Sequence, residues 1–252
     1  MSAGADRSAG HDEAVTATQL WELAGLLADR SRAAFCLALL DGRCWTVGEL
    51  ARHAEIGPST ASEHVATLVA GGIVSSIRQG RHRYVRLADA GAAQLIEDLV
   101  GYAPQVPLPG SPGPRSLRAA SSATALARAR TCYDHLAGRL GVRITDAMTG
   151  AGLLDQAAGF AVTPAGLAWL ESELGVDVTA LTAARRPVAR SCLDWTERRP
   201  HLGGAAGAAV CERFFAHGWI VRVGSARAVR VTAAGQQALL RLLRVDLTAD
   251  AA

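Results

Sequence analysis

Residues 57–74, GPSTASEHVATLVAGGIV, decide the fold of this protein. Pro58 suits the first turn of a helix, because the backbone N–H that proline lacks would have no partner there. Gly71 and Gly72 end the helical pattern. Four apolar residues at helical spacing predict a buried face: Ala61, Val65, Leu68 and Val69. Polar residues in the N-terminal half predict an outward surface: Ser59, Thr60, Ser62, Glu63, His64 and Thr67.

A second, shorter helix is predicted just before this one. The segment VGELARHA, residues 47–54, follows Thr46, and Glu49 lies at the spacing of a capping box. The residues EIG then turn the chain. A short helix, a three-residue turn with glycine and a second helix with polar N-terminal residues are typical of a helix-turn-helix. The second helix of that motif enters the major groove of DNA, so the outward polar residues are candidate DNA-reading side chains.

The segment after this helix, IVSSIRQGRHRYVRL, residues 73–87, predicts a β-hairpin around a glycine-containing loop. A basic hairpin after a helix-turn-helix is typical of a wing. Its basic side chains can pair with phosphates or enter the minor groove, and they are Arg78, Arg81, His82 and Arg83. A helix over residues 88–100 is expected to follow.

The stretch from Leu20 to Val100 resembles the winged-helix DNA-binding domain of the ArsR family of bacterial repressors. The resemblance rests on LADRSR, ELA, S-x-x-S-x-H, GGIV and the basic wing, in that order. It implies a homodimer that binds double-stranded operator DNA and responds to a metal ion, an organic ligand or thiol oxidation, and the reduced state expected for the cysteines adds a cytoplasmic location. Metal-sensing members carry a cysteine-rich motif in the first helix of the helix-turn-helix. The helix VGELARHA has no cysteine, so that metal site is not carried over. The alternative is a winged helix that binds protein instead of DNA.

Composition limits which classes of protein this chain can belong to. A chain of 252 residues with 50% apolar and 19% charged residues has room for two domains with real cores. The net charge of +3 permits an anionic partner without requiring one. Five cysteines without framework spacing favour reduced thiols over secreted disulfides. No apolar run is long enough to span a membrane, and no familiar catalytic motif is present, so neither a membrane protein nor an enzyme is predicted.

The expected fold class is mainly α with small β-hairpin wings, that is α+β. The predicted organisation is a disordered tail over residues 1–14, the winged helix-turn-helix over 15–100, a proline- and glycine-rich linker over 101–118, and an effector-binding and dimerisation domain over 119–247.

The last domain repeats the first. Three stretches share a glycine, two bulky apolar residues, an apparent hairpin and a second glycine that opens a helix. The first glycines are Gly72, Gly152 and Gly218, and the second are Gly91, Gly166 and Gly235. Two trimmed winged-helix-like units are therefore expected. In the last unit the DNA-reading positions become Ala205, Ala206, Ala208 and Ala209. Alanine cannot hydrogen-bond a base, so this helix is expected to pack closely on another element.

A second repeated signature lies in the same domain. CYDHLAG, residues 132–138, and CLDWTERRPHLGG, residues 192–204, share Cys-x-Asp followed by His-Leu-x-Gly. If the two copies face each other, four side chains could bind zinc or another soft ion: Cys132, His135, Cys192 and His201.

Other interpretations of this region stay open. An organic effector could bind in a pocket lined by Tyr133, His135, Trp169, Trp195, His201, Phe214 and Phe215. A thiol-redox switch could use Cys132, Cys192 or Cys211. The cysteines could also simply be small buried hydrophobes, with the histidines satisfied locally.

Overall fold

The computed structural model describes residues 5–80, 82–102, 124–157, 159–223 and 227–247 of the chain. The chain divides into two compact units, with the boundary between Ala93 and Gln94. No helix in these described ranges is long and apolar enough to cross a membrane.

Unit 1 is a winged helix-turn-helix, which confirms the predicted fold class for this part of the chain. Its three strands form an antiparallel sheet in the order β1–β3–β2. The elements in chain order are α1 (Ala5–Leu27), α2 (Arg30–Leu39), β1 (Trp45–Thr46), α3 (Val47–His53), α4 (Pro58–Ala70), β2 (Val74–Gln79), β3 (His82–Leu87) and the beginning of α5 (Ala90–Tyr102).

Side-chain caps set where the helices of unit 1 begin. The Asp29 carboxylate accepts a hydrogen bond from the backbone N–H of Arg32 at 2.9 Å, and α2 therefore begins as a helix separate from α1. Thr46 and Glu49 form the predicted capping box, in which the Glu49 carboxylate accepts from the Thr46 N–H at 2.7 Å. Helix α4 begins at Pro58, as the sequence predicts.

The apolar face of α4 packs into the core of unit 1. Ala61, Val65 and Leu68 are fully buried, together with Phe35 of α2 and Leu50 of α3. Full burial of a large apolar side chain contributes about 1.5–3 kcal/mol. These contacts fix which face of α4 remains free for a partner.

Three predicted boundaries differ from the structure. The predicted disordered tail is wrong from Ala5 onward, where α1 begins. The first domain was expected to reach residue 100, but the residues of α5 from Gln94 onward pack within unit 2. The predicted linker starts two residues too early, since α5 continues to Tyr102. The rest of that linker, residues 103–118, lies outside the described residues.

Unit 2 contains two halves of the same design, each a hairpin, a helix, a second hairpin and a second helix. The first half has β4 (Arg130–Cys132), β5 (His135–Ala137), α6 (Gly138–Gly150), β6 (Leu154–Asp155), β7 (Ala161–Val162) and α7 (Pro164–Leu174), and α8 (Val178–Ala183) follows. The second half has β8 (Arg190–Leu193), β9 (Pro200–Gly203), α9 (Gly204–Ala216), β10 (Ile220–Arg222), β11 (Val229–Val231) and α10 (Ala233–Leu243).

The repeated glycines have structural reasons. Gly72, Gly152 and Gly218 all have positive φ, of 73°, 71° and 65°. A Cβ on Gly166 or Gly235 would lie 2.0 or 2.1 Å from the carbonyl oxygen of Leu153 or Trp219, so only glycine fits there. A Cβ on Gly91 would lie 3.1 Å from the carboxylate of Asp89, which is a flexible side chain and can move. The repeat is therefore closer between the two halves of unit 2 than between either half and unit 1.

The two halves of unit 2 share one apolar core. Met148, Leu154 and Leu170 of the first half pack in the same cluster as Phe214 and Leu239 of the second. Helix α9 packs against β5. Ala206 is fully buried and Ala205, Ala208 and Ala209 are half-buried, as expected for a helix that no longer presents an outward polar face.

Candidate DNA interface and candidate metal site

Helix α4 presents an outward polar face. Ser59, Thr60, Ser62, Glu63 and Thr67 are all exposed. The Ser62 hydroxyl donates to the Pro58 carbonyl oxygen at 2.9 Å, and the Thr67 hydroxyl donates to the Glu63 carbonyl oxygen at 3.0 Å. Each hydroxyl oxygen still has lone pairs that can accept from a donor on a base or from water. The face is therefore shaped and chemically suited to contact DNA.

His64 lies differently from the other predicted DNA-reading residues. Its side chain is half-buried, its Nε2 lies 3.8 Å from the Asp29 carboxylate, and its ring meets Phe35 edge-on at 6.3 Å between centroids. The ring thus faces α2 and the core. His64 helps to hold α4 in place, which corrects its assignment to the outward face.

The wing is the hairpin of β2 and β3. Gln79 pairs with His82 and Arg78 pairs with Arg83, so both arginines lie on the same face of the hairpin. Arg78 and His82 are exposed, whereas Arg83 is half-buried and its Nε donates to the Ser76 hydroxyl at 3.0 Å. Arg81 lies outside the described residues. The wing therefore presents the exposed cation of Arg78, with Arg83 beside it and held by Ser76.

In unit 2 the four predicted cysteine and histidine residues come together. Cys132 pairs directly with His135 across β4 and β5, and Cys192 pairs with His201 across β8 and β9. One ligand atom from each side chain lies within 4.8 Å of the other three, and all four residues are buried. The six extra residues in the second copy form the loop of its hairpin, and the strand register restores the pairing. This group is called the Cys₂His₂ cluster below.

The sulfur atoms have the separation that a tetrahedral site requires. The Sγ atoms of Cys132 and Cys192 lie 3.7 Å apart. A zinc–sulfur bond of about 2.3 Å gives an edge of about 3.8 Å in a regular tetrahedron. The two cysteines are free thiols in this structure.

The histidines supply the strongest sign that the cluster fits a metal. Among the described residues, Nε2 of His135 and both ring nitrogens of His201 are buried without a hydrogen-bond partner. The two rings stack with centroids 5.1 Å apart. A buried polar atom without a partner costs about 1–3 kcal/mol, and coordination of a metal would remove that cost.

Each Cys-x-Asp motif places its carboxylate near Nδ1 of a histidine of the cluster. Asp134 lies 3.1 Å from Nδ1 of His135 and also forms an ion pair with Arg186. Asp194 lies 3.8 Å from Nδ1 of His201. Metal-binding histidines usually direct their second ring nitrogen to a carboxylate or a carbonyl, which orients the ring. Asp134 has this position at His135, whereas Asp194 lies close to His201 without a hydrogen bond.

Asp194 is also the centre of a buried network that the sequence did not reveal. Its carboxylate accepts from the fully buried Arg130 at 2.9 Å and from the backbone N–H of Gly138 at 2.6 Å, which is the first residue of α6. Burial alone would raise the pKa of Asp194, but Arg130 and these hydrogen bonds hold that pKa below its ordinary value. The extended motif Arg-Thr/Ser-Cys-x-Asp, residues 130–134 and 190–194, was the available signal.

The electrostatics of the cluster favour one thiolate. The pKa of Cys192 lies far below its ordinary value, first because the Cys132 thiol donates to it, and also because His135 and His201 lie beside it. Burial, first of all, raises the pKa of Cys132 well above its ordinary value. A divalent cation bound by two thiolates and two neutral histidines would form a buried centre without net charge.

Two glycines follow the histidine of each copy, for a reason that only the structure shows. Both copies read His-Leu-x-Gly-x-x-Gly, and the last glycines are Gly141 and Gly207. A Cβ on Gly207 would lie 2.3 Å from the Leu202 carbonyl oxygen and 3.2 Å from Cβ of His135. A Cβ on Gly141 would lie 2.4 Å from the Leu136 carbonyl oxygen and 3.7 Å from Cβ of His201. Each helix thus comes close to the histidine of the other copy.

The contacts of the predicted aromatic pocket give it no support. Phe214 is buried in the core, and Trp169 and Phe215 pack against the same core. Trp195 lies against the Arg130 guanidinium at 4.5 Å, and Tyr133 occupies the turn between β4 and β5 with a φ of 58°. Of these residues, His135 and His201 belong to the Cys₂His₂ cluster. The others are explained by packing and turn geometry.

Cys211 does not fit a redox site. It is buried in the apolar core, and burial raises the pKa of its thiol to about 12. A neutral buried thiol is unreactive. The Cys132–Cys192 pair is therefore the remaining candidate for thiol chemistry.

Comparison with known proteins finds similar transcriptional regulators. A helix-turn-helix domain family matches residues 27–77. The chain is 40% identical over 227 residues to the uncharacterized HTH-type transcriptional regulator YdfF of Bacillus subtilis, covering 90% of this chain and 97% of that protein. It is 37% identical over 81 residues to the HTH-type transcriptional regulator CmtR of Mycobacterium tuberculosis, covering 32% and 68%.

Among solved structures, the chain is similar to the homodimeric winged helix-turn-helix DNA-binding domain of a possible ArsR-family transcriptional regulator from Mycobacterium bovis. It is 27% identical, with 42% of this chain and 92% of that domain covered and a TM-score of 0.35.

Proposed function

Because the chain belongs to the ArsR family of winged helix-turn-helix transcriptional regulators, we propose that it is a repressor whose DNA affinity is set by a metal ion at the Cys₂His₂ cluster. The carrying observation is the convergence of Cys132, His135, Cys192 and His201, whose four ligand atoms lie within 4.8 Å of one another in a buried position. The metal would be zinc or an ion of similar size and softness, since the 3.7 Å sulfur separation matches its bond lengths.

The DNA-binding role is assigned to unit 1. The exposed polar face of α4 would read bases in the major groove, and Arg78 and Arg83 of the wing would contact phosphates. One short helix and one wing provide few contacts, so the repressor would act as a homodimer on two half-sites. Exposed apolar side chains on α1 support this, with Leu20 65% and Trp21 74% exposed. Sedimentation of the free protein tests the dimer, and a monomer that binds operator DNA tightly would contradict it.

The effector role is assigned to unit 2. Four protein ligands would fill a tetrahedral site, leaving no open position for a substrate, which suits sensing or structural support more than catalysis. The ion would supply a positive centre that neutralises two thiolates. Arg130 and Asp194 would keep the second hairpin in place, and Asp134 would orient His135.

The test combines metal binding with DNA binding. Wild-type protein and Cys192→Ser are titrated with Co²⁺, and the visible bands of tetrahedral sulfur-ligated cobalt are recorded. Cys44→Ser is the matched control, because Cys44 is an exposed free cysteine outside the cluster. We expect the bands in the wild type and the control and their loss in Cys192→Ser.

Operator binding is then measured by fluorescence anisotropy with and without Zn²⁺. Coupling of about 1–3 kcal/mol, or about 5–150-fold in DNA affinity, is expected for the wild type and for Cys44→Ser only. Metal binding without any change in DNA affinity would reduce the cluster to a structural role.

A thiol switch is the second candidate, favoured by the 3.7 Å approach of two sulfur atoms. A hydroperoxide would take two electrons and the two thiol protons from Cys132 and Cys192. Its O–O bond would break to give an alcohol and water, or two waters from hydrogen peroxide, and the two sulfurs would form a disulfide. Peptide mapping after peroxide treatment distinguishes the candidates. A Cys132–Cys192 disulfide in metal-free protein, together with a changed DNA affinity and no Co²⁺ binding, would favour the redox switch.

A further inference from the structure

The part of α5 that belongs to unit 2 lies directly against the Cys₂His₂ cluster. Nε2 of the buried Gln94 donates to the sulfur of Cys192 at 3.4 Å. The same amide nitrogen donates to the Asp98 carboxylate, one turn later, at 2.7 Å. An amide nitrogen has two N–H donors, and both are used here.

Asp98 fixes which way the Gln94 amide points. In the reversed orientation the amide oxygen would face both the Asp98 carboxylate and the sulfur, and neither contact would be favourable. The observed orientation therefore directs an N–H at Cys192.

A second contact holds the same helix face. Glu97 is 1% exposed and forms an ion pair with Arg227. The carbonyl oxygen of Arg227 accepts from the backbone N–H of Thr131, the neighbour of Cys132, at 2.9 Å. Gln94 and Glu97 are three residues apart and thus share a face of α5. That face is tied to both cysteine-bearing strands.

We propose that Gln94 is the positioning residue through which metal at the cluster acts on α5. This inference rests on the proposed function, because it needs a metal at Cys192. A metal at the cluster would hold the Cys192 sulfur at one position, so the Gln94 amide would donate to a fixed acceptor. The metal-loaded state therefore holds α5 more firmly than the metal-free state. Helix α5 begins at Ala90, soon after the wing strand β3 ends at Leu87, so the chain itself connects this contact to unit 1.

The experiment compares Gln94→Leu with the wild type and with Gln156→Leu. Gln156 is a matched control, because its Nε2 also donates a hydrogen bond within unit 2, to the Thr149 hydroxyl at 2.8 Å, but it is not part of the cluster. Co²⁺ affinity is measured by competition with a chelator, and amide hydrogen exchange of α5 is followed with and without Co²⁺.

We expect Gln94→Leu to keep the tetrahedral cobalt spectrum and to bind Co²⁺ about 10–100-fold more weakly. Metal-dependent protection of α5 should be present in the wild type and in Gln156→Leu and should be lost in Gln94→Leu at saturating Co²⁺. If Gln94→Leu does not fold, the exposed Asp98→Asn removes only the orienting carboxylate, and it should weaken Co²⁺ binding in the same direction by a smaller factor.

The outcomes separate this inference from the proposed function. The role of Gln94 is overturned, with the metal site left intact, if Gln94→Leu shows wild-type Co²⁺ affinity and wild-type protection of α5. Where Gln94→Leu cannot be made, an unchanged Co²⁺ affinity in Asp98→Asn has the same meaning. A wild-type protein that binds no Co²⁺ would overturn both.

Discussion

Unit 1 and the halves of unit 2 share the order helix, hairpin and helix, but their first helices differ in which side chains they expose. In unit 1 the polar side chains of α4 are exposed, and the buried side of that helix is apolar. In unit 2 the corresponding helix α9 is lined with alanine and glycine, and the polar groups are buried on the hairpins: Arg130, His135, Asp194 and His201. An exposed polar group is free to meet an outside partner, whereas a buried one must be satisfied internally or by a bound ion.

The difference predicts that replacing a buried polar group of unit 2 lowers the free energy of unfolding far more than replacing an exposed polar group. The largest effect is expected for Arg130→Met, which leaves the buried Asp194 carboxylate without its cation. We expect a loss of about 3–5 kcal/mol in the free energy of unfolding. Arg190→Met is the control, since Arg190 is the equivalent residue of the second hairpin and is exposed; a change within about 0.5 kcal/mol is expected there. Urea denaturation measures both, and equal losses would contradict the comparison.

The next effect concerns the close approach of α9 to the first hairpin. Gly207→Ala puts a Cβ 2.3 Å from a backbone oxygen, and the backbone must move. We expect destabilisation of about 1–3 kcal/mol or more, with weakened Co²⁺ binding because His135 is displaced. Gly150→Ala in α6 meets no atom within 4 Å and should be neutral or slightly stabilising. Thermal unfolding checks the pair, and a neutral Gly207→Ala would mean that α9 is not tightly packed.

In unit 1 the expected change is in DNA binding, with stability unchanged. Ser62→Ala should alter which operator base is preferred by about 1–3 kcal/mol, while Arg78→Ala should weaken binding to specific and random DNA alike and reduce the salt dependence. Anisotropy titrations on both DNAs at several salt concentrations make the distinction. Equal loss on specific and random DNA for Ser62→Ala would remove α4 from the reading role.

The smallest effect is expected at the capping box that begins α3. Thr46→Ala removes the oxygen that accepts from the Glu49 N–H and should lower the free energy of unfolding by about 1 kcal/mol. Because the box is exposed, Co²⁺ affinity should not change. A shift in Co²⁺ affinity would show that damage in unit 1 reaches unit 2, and the comparison would need revision.

The sequence by itself determined the elements whose signals are local. Thr46 with Glu49, Pro58 and the spacing of Ala61, Val65 and Leu68 predict α3 and α4, because capping and helical periodicity act over a few residues. The repeated Cys-x-Asp and His-Leu-x-Gly segments also named the four residues of the cluster correctly. The cysteine-to-histidine spacings of the two copies differ by six residues, so the convergence of the four side chains was only one of several interpretations that the sequence left open.

Only the tertiary structure decided which distant groups meet. Strand register set Cys132 opposite His135 and Cys192 opposite His201, and packing of the two hairpins brought the sulfurs to 3.7 Å. The position of His64 against Phe35 was set by tertiary packing. The packing of Trp169, Phe214 and Phe215 in the core and the contact of Gln94 with Cys192 were set in the same way. Gln94 and Cys192 are 98 residues apart, and no local pattern encodes a contact that depends on how whole elements pack.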